Sequence, residues 1–200
     1  MDINLNKPKI AVDIDGVLAD YQISFVEFYN KRNGKNFSIQ NLIGHDFWLS
    51  FGISKEKAEK EIIDFFSSEK FKKLSPVTDS QDAIKLLAQK NILSIVTARP
   101  DFVRETTLEW LDAHFPNIFS EIHFTSQFGG NGPREKKSDF CLDYNYEIII
   151  EDIVEHANEC AEKGIKVFLL NRPWNKNFSL HPLVQRVNDW NEISQIIQQK

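Results

Sequence analysis

Short apolar runs and amphipathic stretches alternate along the chain. Five runs are nearly continuous in isoleucine, valine, leucine and phenylalanine, which is typical of strands buried on both faces. Runs of this kind, separated by helical patterns, predict an α/β fold in which a parallel sheet carries helices on both faces. The predicted strands are Lys9–Val12, Ile92–Thr97, Ile122–Phe124, Glu147–Ile150 and Ile165–Leu170.

Helical patterns fill most of the intervals between these strands. Asp79–Gln89 opens with residues that cap helices, and Asp101–Phe115 begins just after a proline. A third helix, Ile153–Lys163, is predicted to end at a glycine, and the chain beyond NRPWN is predicted to finish in a polar helix. Active sites of such folds lie at the carboxyl ends of the strands, so the residues that follow each strand are the candidates for chemistry.

One interval is far longer than the others, because about eighty residues separate the first two predicted strands. A parallel crossover needs only about a dozen. We interpret residues 21–75, which contain the helical patterns Ser24–Lys31 and Lys55–Phe66, as a small helical cap on a core of residues 1–20 and 76–200. Phe47 and Trp48 in this cap are candidates for stacking on a nucleobase, although aromatic residues of so small a module more often form its core.

Composition limits the possible partners and location. The 200 residues carry 24 Lys and Arg against 29 Asp and Glu, a net charge of −5. This balance argues against binding a nucleic-acid polymer but allows a small phosphorylated substrate. No leader-like N-terminus and no long apolar run occur, which predicts a cytoplasmic protein without a membrane span. Cys141 and Cys160 are interpreted as reduced, buried thiols, and the sequence indicates no oligomeric state.

Asp13 and Asp15 follow the first predicted strand directly, in the sequence IAVDIDGVLAD. Side chains two apart on a strand point to the same side, so both carboxylates can face one site where Gly16 permits a tight turn. Carboxylates this close repel unless a cation or a proton lies between them, and Mg²⁺ prefers oxygen ligands. The motif therefore predicts a magnesium site, with two solvated acids in a turn as the alternative.

The second predicted strand ends in Thr97, Ala98 and Arg99. A hydroxyl group and adjacent backbone N–H groups at a strand end suit phosphate oxygens, although Thr97 alone would more simply cap the next helix. Arg99 and Arg134 are each candidates for contact with a phosphate or a sugar hydroxyl, with an ordinary surface arginine as the equally good alternative.

Two further groups lie near the fourth predicted strand. Glu151 and Asp152 follow its apolar run, and an acidic pair there would complete the oxygen shell of a metal. Lys136 and Lys137 begin a short helix upstream, where a lysine can bind a phosphate, although such a lysine is usually solvated. Because all four groups lie at strand ends, we interpret them together as one site.

These motifs resemble those of the haloacid dehalogenase-like (HAD) superfamily of phosphohydrolases. That superfamily carries D-x-D-G, an apolar run ending in Thr or Ser, a lysine and an acidic pair, in this order. The resemblance is closer still to the 5′(3′)-deoxyribonucleotidase family and its bacterial relatives. The matching stretches are DIDGVLAD, TARP, Lys137–Cys141, EIIIED, GIKV and NRPWN. The resemblance implies a three-layer, Rossmann-like parallel sheet with a small helical cap inserted after the first strand.

The resemblance also implies an activity, that of a Mg²⁺-dependent phosphomonoesterase acting on (deoxy)nucleoside monophosphates. Asp13 would attack the phosphorus and form an aspartyl-phosphate, and Asp15 would act first as general acid and then as general base. Mg²⁺ would be held by the Asp13 carboxylate, the Asp15 backbone carbonyl and Asp152. Glu151, where relatives commonly carry Asp, would contact metal-bound water.

The remaining motif residues would bind the phosphate. By the same resemblance, Thr97, the backbone N–H of Ala98, and Lys137 would stabilise the transferring oxygens. Lys137 is preferred to Lys136 because of its spacing to Cys141.

The sequence leaves two alternative functions open. The same chemistry could act on a sugar phosphate or another small metabolite phosphate, because the cap selects the leaving group and cannot be aligned residue by residue. A non-catalytic, Mg²⁺-binding phospho-acceptor module also uses carboxylates at strand ends, but such a module lacks a second aspartate like Asp15 and needs no cap.

Overall fold

The computed structural model describes residues 7–44, 46–125 and 136–199. Its sheet has the strand order β3-β2-β1-β4-β5-β6, and every neighbouring pair runs parallel. The predicted α/β class with a parallel sheet is confirmed. The strands are β1 (Lys9–Val12), β2 (Ile92–Thr97), β3 (Ile122–Phe124), β4 (Ile148–Glu151), β5 (Lys166–Leu170) and β6 (Val184–Val187).

Strand β6 at the edge of the sheet is absent from the sequence prediction, which has only a polar helix beyond NRPWN. Only its first and last residues, Val184 and Val187, are buried, and the residues between them are polar. Two apolar positions are too few to produce a recognisable strand pattern. The strand forms because it pairs with β5, which is a contact distant from its own sequence pattern.

The helices of the described residues connect these strands and build the cap. The predicted helix over Asp101–Phe115 starts as a 3₁₀ turn, Asp101–Val103, before it becomes α-helical. The α-helices are α1 (Tyr21–Asn33), α2 (Phe47–Phe51), α3 (Lys55–Phe66), α4 (Glu69–Lys72), α5 (Ser80–Ala88), α6 (Arg104–His114), α7 (Lys137–Asp143), α8 (Val154–Glu162) and α9 (Trp190–Gln198).

Alternation along the strands divides the core into two layers of side chains. In β1, Ile10 and Val12 join the apolar cluster that includes α5, α6 and α9, whereas Ala11 joins the cluster that includes α7 and α8. Successive residues of a strand point to opposite faces, so both faces of the sheet are covered by helices. This arrangement is the expected three-layer core. Cys141 and Cys160 are free thiols buried on the side of the sheet that α7 and α8 cover.

Helices α1–α4 lie between β1 and α5, where the sequence predicts the cap. Their aromatic rings pack together, with Phe25 and Phe47 only 4.4 Å apart between centroids. The chain segments entering and leaving the cap run side by side: Asp20 N–H donates to the Ser75 carbonyl (3.0 Å) and Val77 N–H to the Leu18 carbonyl (2.7 Å). The division at residues 21 and 75 stays a prediction, and these bonds lie next to it.

Within the described ranges, none of the helices combines the length and the apolar character that crossing a membrane would require.

Candidate active site

Three carboxylates meet at the carboxyl end of the sheet. Asp13 follows β1, and Glu151 and Asp152 stand at the end of neighbouring β4. One oxygen of each side chain lies within 4.8 Å of the others, and all three residues are buried. Because β1 is paired with both β2 and β4, the ends of these three strands are held against one another. The sheet thus brings together residues that are far apart in sequence.

Lys137 reaches this cluster from the first turn of α7. Its Nζ lies 2.9 Å from Asp13 Oδ1 and 2.5 Å from Glu151 Oε1, and its side chain is only 1% exposed. Burial alone would lower the pKa of Lys137, but the two carboxylates outweigh burial and hold it above the ordinary value. Lys136, in contrast, is exposed and pairs with Glu159 at 2.7 Å. The structure therefore places Lys137 in the site and Lys136 outside it.

Glu151 is anchored by the protein on both of its oxygens. Oε2 accepts the backbone N–H groups of Asp152 (2.6 Å) and Ile153 (2.8 Å), while Oε1 lies near Lys137 and 3.2 Å from His156 Nδ1. Burial raises its pKa, but Lys137 and these hydrogen bonds reverse the shift and hold the pKa below the ordinary value. Both oxygens of Glu151 are thus engaged by the protein, and its contact with metal-bound water stays a prediction.

Asp152 is held through one oxygen and leaves the other open. Oδ2 accepts hydrogen bonds from Trp174 Nε1 (2.9 Å) and Gln22 Nε2 (3.1 Å), and Asn175 Nδ2 donates to its backbone carbonyl (2.7 Å). Within the described ranges, no hydrogen-bond donor reaches the buried Oδ1. Sequence reasoning missed Gln22 and Asn175. The motif NRPWN was a signal for Trp174 and Asn175, whereas nothing near Gln22 marked it.

Excess negative charge makes the cluster suitable for a divalent cation. Burial, with a smaller contribution from neighbouring carboxylates, raises the pKa of Asp13 to about 6 and that of Asp152 well above its ordinary value. Lys137 supplies one positive charge against three buried carboxylates. The open Oδ1 of Asp152 and the carboxylate of Asp13 are oxygen ligands of the kind that Mg²⁺ prefers. The residues present thus fit the magnesium ion predicted from the sequence.

Gly16 is required by the close packing around Asp152. Its φ is +80°, a left-handed conformation that favours glycine, and an added Cβ would lie 2.1 Å from Asp152 Oδ2. The backbone carbonyl of Gly16 also accepts a hydrogen bond from Arg172 Nε (2.9 Å). The glycine of the D-x-D-G motif therefore lets the chain pass against the acidic cluster.

Asp15 lies beside the cluster and is paired with Arg99. Arg99 Nε donates to Asp15 Oδ2 (3.0 Å) and Nη2 to Oδ1 (2.6 Å), while Nη1 donates to Thr107 Oγ1 (3.0 Å). The alternative of a surface arginine is wrong, because the Arg99 side chain is 1% exposed. Thr97 is buried and accepts the Arg99 backbone N–H at 3.3 Å. Arg134 lies outside the described residues.

A cavity of about 420 Å³ opens over these groups, between the core and the cap. Phe47 borders the cavity but is mainly part of the aromatic packing of the cap. Trp48 also borders it and is only partly buried, and Lys55 Nζ lies 5.4 Å from the centre of the Trp48 ring. The core side of the cavity is polar: Asp13, Asp15, Thr97, Ala98, Arg99, Lys137 and Asp152. The cap side is largely apolar, with Tyr21, Phe47, Trp48, Ala58, Ile62, Ile63 and Phe66, and its polar members are Gln22, Lys55 and Glu59.

The fold resembles that of solved HAD-like structures. The haloacid dehalogenase-like hydrolase SP0104 of Streptococcus pneumoniae superposes with a TM-score of 0.70 at 17% identity, covering 96% of this chain and 99% of that one. The HAD hydrolase YfnB of Bacillus subtilis, described as bound to magnesium, gives a TM-score of 0.63 at 14% identity, with coverage of 96% and 99%. At these identities the likeness establishes the shared fold.

Sequence comparison identifies the family. YqfW of Bacillus subtilis, whose name describes a nucleotidase, is 25% identical over 195 residues, covering 94% of this chain and 92% of the relative. The family model described as "5′ nucleotidase, deoxy (pyrimidine), cytosolic type C protein" matches residues 7–200. The resemblance drawn from the motifs is confirmed. The alternative of a non-catalytic phospho-acceptor module is wrong, because the matched family is a family of enzymes. The chain belongs to this family of 5′-nucleotidases, which are phosphoric monoester hydrolases, and it shares its fold with the HAD-like hydrolases.

Proposed function

We propose that the protein is a Mg²⁺-dependent phosphatase of (deoxy)nucleoside monophosphates that forms an aspartyl-phosphate on Asp13. The observation that carries the proposal is the division of the cavity into a polar core side and an apolar, aromatic cap side. A nucleoside monophosphate has the same division, because its phosphate is anionic and its base presents flat faces that stack on aromatic rings. The family and the nucleotidase-named relative support the same substrate class.

The side chains have complementary roles in this reaction. Asp13 attacks the phosphorus, and Lys137, 2.9 Å from its Oδ1, keeps a positive charge beside the nucleophile and the transferring oxygens. Thr97 and the backbone N–H of Ala98 bind those oxygens from β2. Asp15 protonates the alcohol oxygen as its bond to phosphorus breaks. It later takes a proton from the water that attacks the aspartyl-phosphate, which releases phosphate and restores the Asp13 carboxylate. Bound Mg²⁺ offsets the repulsion between the carboxylate and the phosphate dianion.

A second candidate substrate is a sugar phosphate or another small polar phosphate. Lys55, Glu59 and His156 also line the cavity, and such groups can bind hydroxyl groups of a sugar. The catalytic steps would be unchanged, so only the cap side of the cavity separates the two candidates.

Trp48→Ala should raise KM for nucleoside monophosphates by about 5- to 150-fold, because stacking of a base on an aromatic ring contributes about 1–3 kcal/mol. Inhibition by inorganic phosphate, which has no base, should be unchanged. The measurement is steady-state phosphate release across nucleotide concentrations. Leu49→Ala is the matched control, since this neighbouring side chain is 62% exposed and does not border the cavity. Equal KM values for Trp48→Ala and wild type would contradict the nucleotide proposal.

Magnesium should stabilise the protein more at neutral than at acidic pH. Burial raises the pKa of Asp13 to about 6, and that of Asp152 is also raised. In the folded state these two carboxyl groups therefore keep protons that the unfolded chain loses above about pH 4. Without metal, the free energy of unfolding falls as pH rises through about 6, where Asp13 ionises in the folded state. Because Mg²⁺ needs the ionised carboxylates, it should raise Tm by several degrees at about pH 7.5. At about pH 5 the increase in Tm should be much smaller.

Thermal unfolding in EDTA and in millimolar Mg²⁺ at both pH values measures this effect. Asp152→Asn removes one proposed ligand and should abolish most of the Mg²⁺ shift near neutral pH. A Mg²⁺ shift of the same size at both pH values would contradict a cation held by these two carboxylates.

A further inference from the structure

We infer that Arg99 is a positioning residue, which fixes the carboxylate of Asp15 in the orientation from which it serves the reaction. The geometry differs from the direct substrate contact that the sequence suggested for Arg99. Two nitrogens of its guanidinium group are bonded to the two oxygens of Asp15, at 3.0 and 2.6 Å. A two-point pair of this kind fixes the plane of the carboxylate as well as its distance.

Arg99 is itself held from other directions. Thr107, fully buried on α6, accepts from Nη1 at 3.0 Å, so the third nitrogen of the group is also engaged. The ring of Phe71 on α4 lies against the guanidinium, with 4.8 Å between Cζ and the ring centre. Phe71 packs edge-on against Phe66, which borders the cavity. Arg99 is therefore a fixed part of the junction between core and cap, with little freedom to follow a substrate.

The contrast in exposure between Arg99 and Asp15 indicates which of the two side chains is accessible to a substrate. The side chain of Asp15 is 21% exposed toward the cavity, whereas that of Arg99 is 1% exposed. A general acid–base has to meet first a leaving oxygen and then a water, so it needs access to the cavity. Arg99 instead defines the place from which Asp15 acts. This inference rests on the acid–base role of Asp15 in the proposed function.

Substitution of Arg99 tests the inference through the chemistry of the leaving group. Arg99→Met should lower kcat on an alkyl phosphate ester by about 10- to 100-fold, less than the roughly 10²- to 10⁴-fold expected for Asp15→Asn. The single-turnover burst of p-nitrophenolate from p-nitrophenyl phosphate should change far less, because this leaving group departs without a proton. Arg99→Lys should behave like Arg99→Met, since an ammonium group cannot bond both carboxylate oxygens in a fixed fork. Equal losses on both esters would overturn the inference.

The double variant Arg99→Met/Asp15→Asn gives the sharpest test. If Arg99 acts through Asp15, the double variant should be no slower than Asp15→Asn alone. Losses that multiply would overturn the inference, because they would show that Arg99 contributes independently, for example by contacting the phosphate. Arg104→Met is the control, since Arg104 pairs with Asp101 and lies over Phe124, away from the cavity lining, and its rates should equal those of wild type.

Thr107→Val keeps the inference testable if the Arg99 variants do not fold, which thermal unfolding would show. Valine has nearly the shape of threonine but cannot accept the hydrogen bond from Nη1. It should give the same leaving-group pattern with a loss of about two- to tenfold on the alkyl ester. No change on the alkyl ester in this variant would then overturn the inference. A wild-type preference for sugar phosphates would contradict the proposed substrate but not this comparison, because those esters also have alcohol leaving groups.

Discussion

Asp13→Asn is expected to reduce phosphate release by about 10⁴-fold or more and to abolish the covalent phosphoenzyme, because an amide cannot act as the attacking carboxylate. The structure leaves little room for a substitute nucleophile. Both oxygens of Glu151 are already engaged, Oδ2 of Asp152 is held by Trp174 and Gln22, and the open Oδ1 of Asp152 is the proposed metal ligand. Acid-quenched protein incubated with radiolabelled substrate measures the phosphoenzyme directly.

Thermal unfolding of Asp13→Asn serves as the control that this variant is folded. Burial raises the pKa of Asp13, so an uncharged side chain of the same shape should be tolerated in the metal-free protein, and its Tm should not collapse. A phosphoaspartate that persists in Asp13→Asn would contradict the assignment of the nucleophile.

Lys137→Met is expected to destabilise the protein by about 3–5 kcal/mol, because it leaves buried carboxylates without their cation. Lys137 is 1% exposed and lies between Asp13 and Glu151. Chemical denaturation in EDTA measures the free energy of unfolding, and turnover should be lost together with stability. The neighbouring Lys136→Met is a matched control, since that lysine is exposed and pairs with Glu159 at the surface.

The outcome of this pair of variants also decides between the two lysines. If Lys136→Met were the more damaging substitution for either stability or turnover, the arrangement of the buried cluster would be contradicted. Stability loss in Lys137→Met that disappears at acidic pH would agree with the account, because protonation of Asp13 relieves the unpaired charge.

Much of the architecture follows from the sequence because its signals are local. The strands β1, β2, β3, β4 and β5 are continuous apolar runs, and the predicted ends differ from the observed ones by one residue at most. Edge strand β6 escapes prediction because its stability comes from pairing with β5 rather than from an apolar pattern of its own.

The same distinction applies to the site. Asp13, Asp15 and Asp152 stand at strand ends in recognisable motifs, so their convergence can be predicted. Arg99 pairs with a residue 84 positions away, and Gln22 with one 130 positions away. Contacts of this kind depend on how the cap and the core meet, which no local pattern encodes. For this reason the substrate-facing side of the cavity is the part that sequence analysis describes least.

Phosphate release from a panel of nucleoside monophosphates and sugar phosphates, each assayed with Mg²⁺ and with EDTA, is the decisive measurement for the proposed function. We expect release that requires Mg²⁺ and is fastest with (deoxy)nucleoside monophosphates. Faster release from sugar phosphates than from any nucleotide would contradict the proposed substrate, and release that persists in EDTA would contradict the proposed magnesium site.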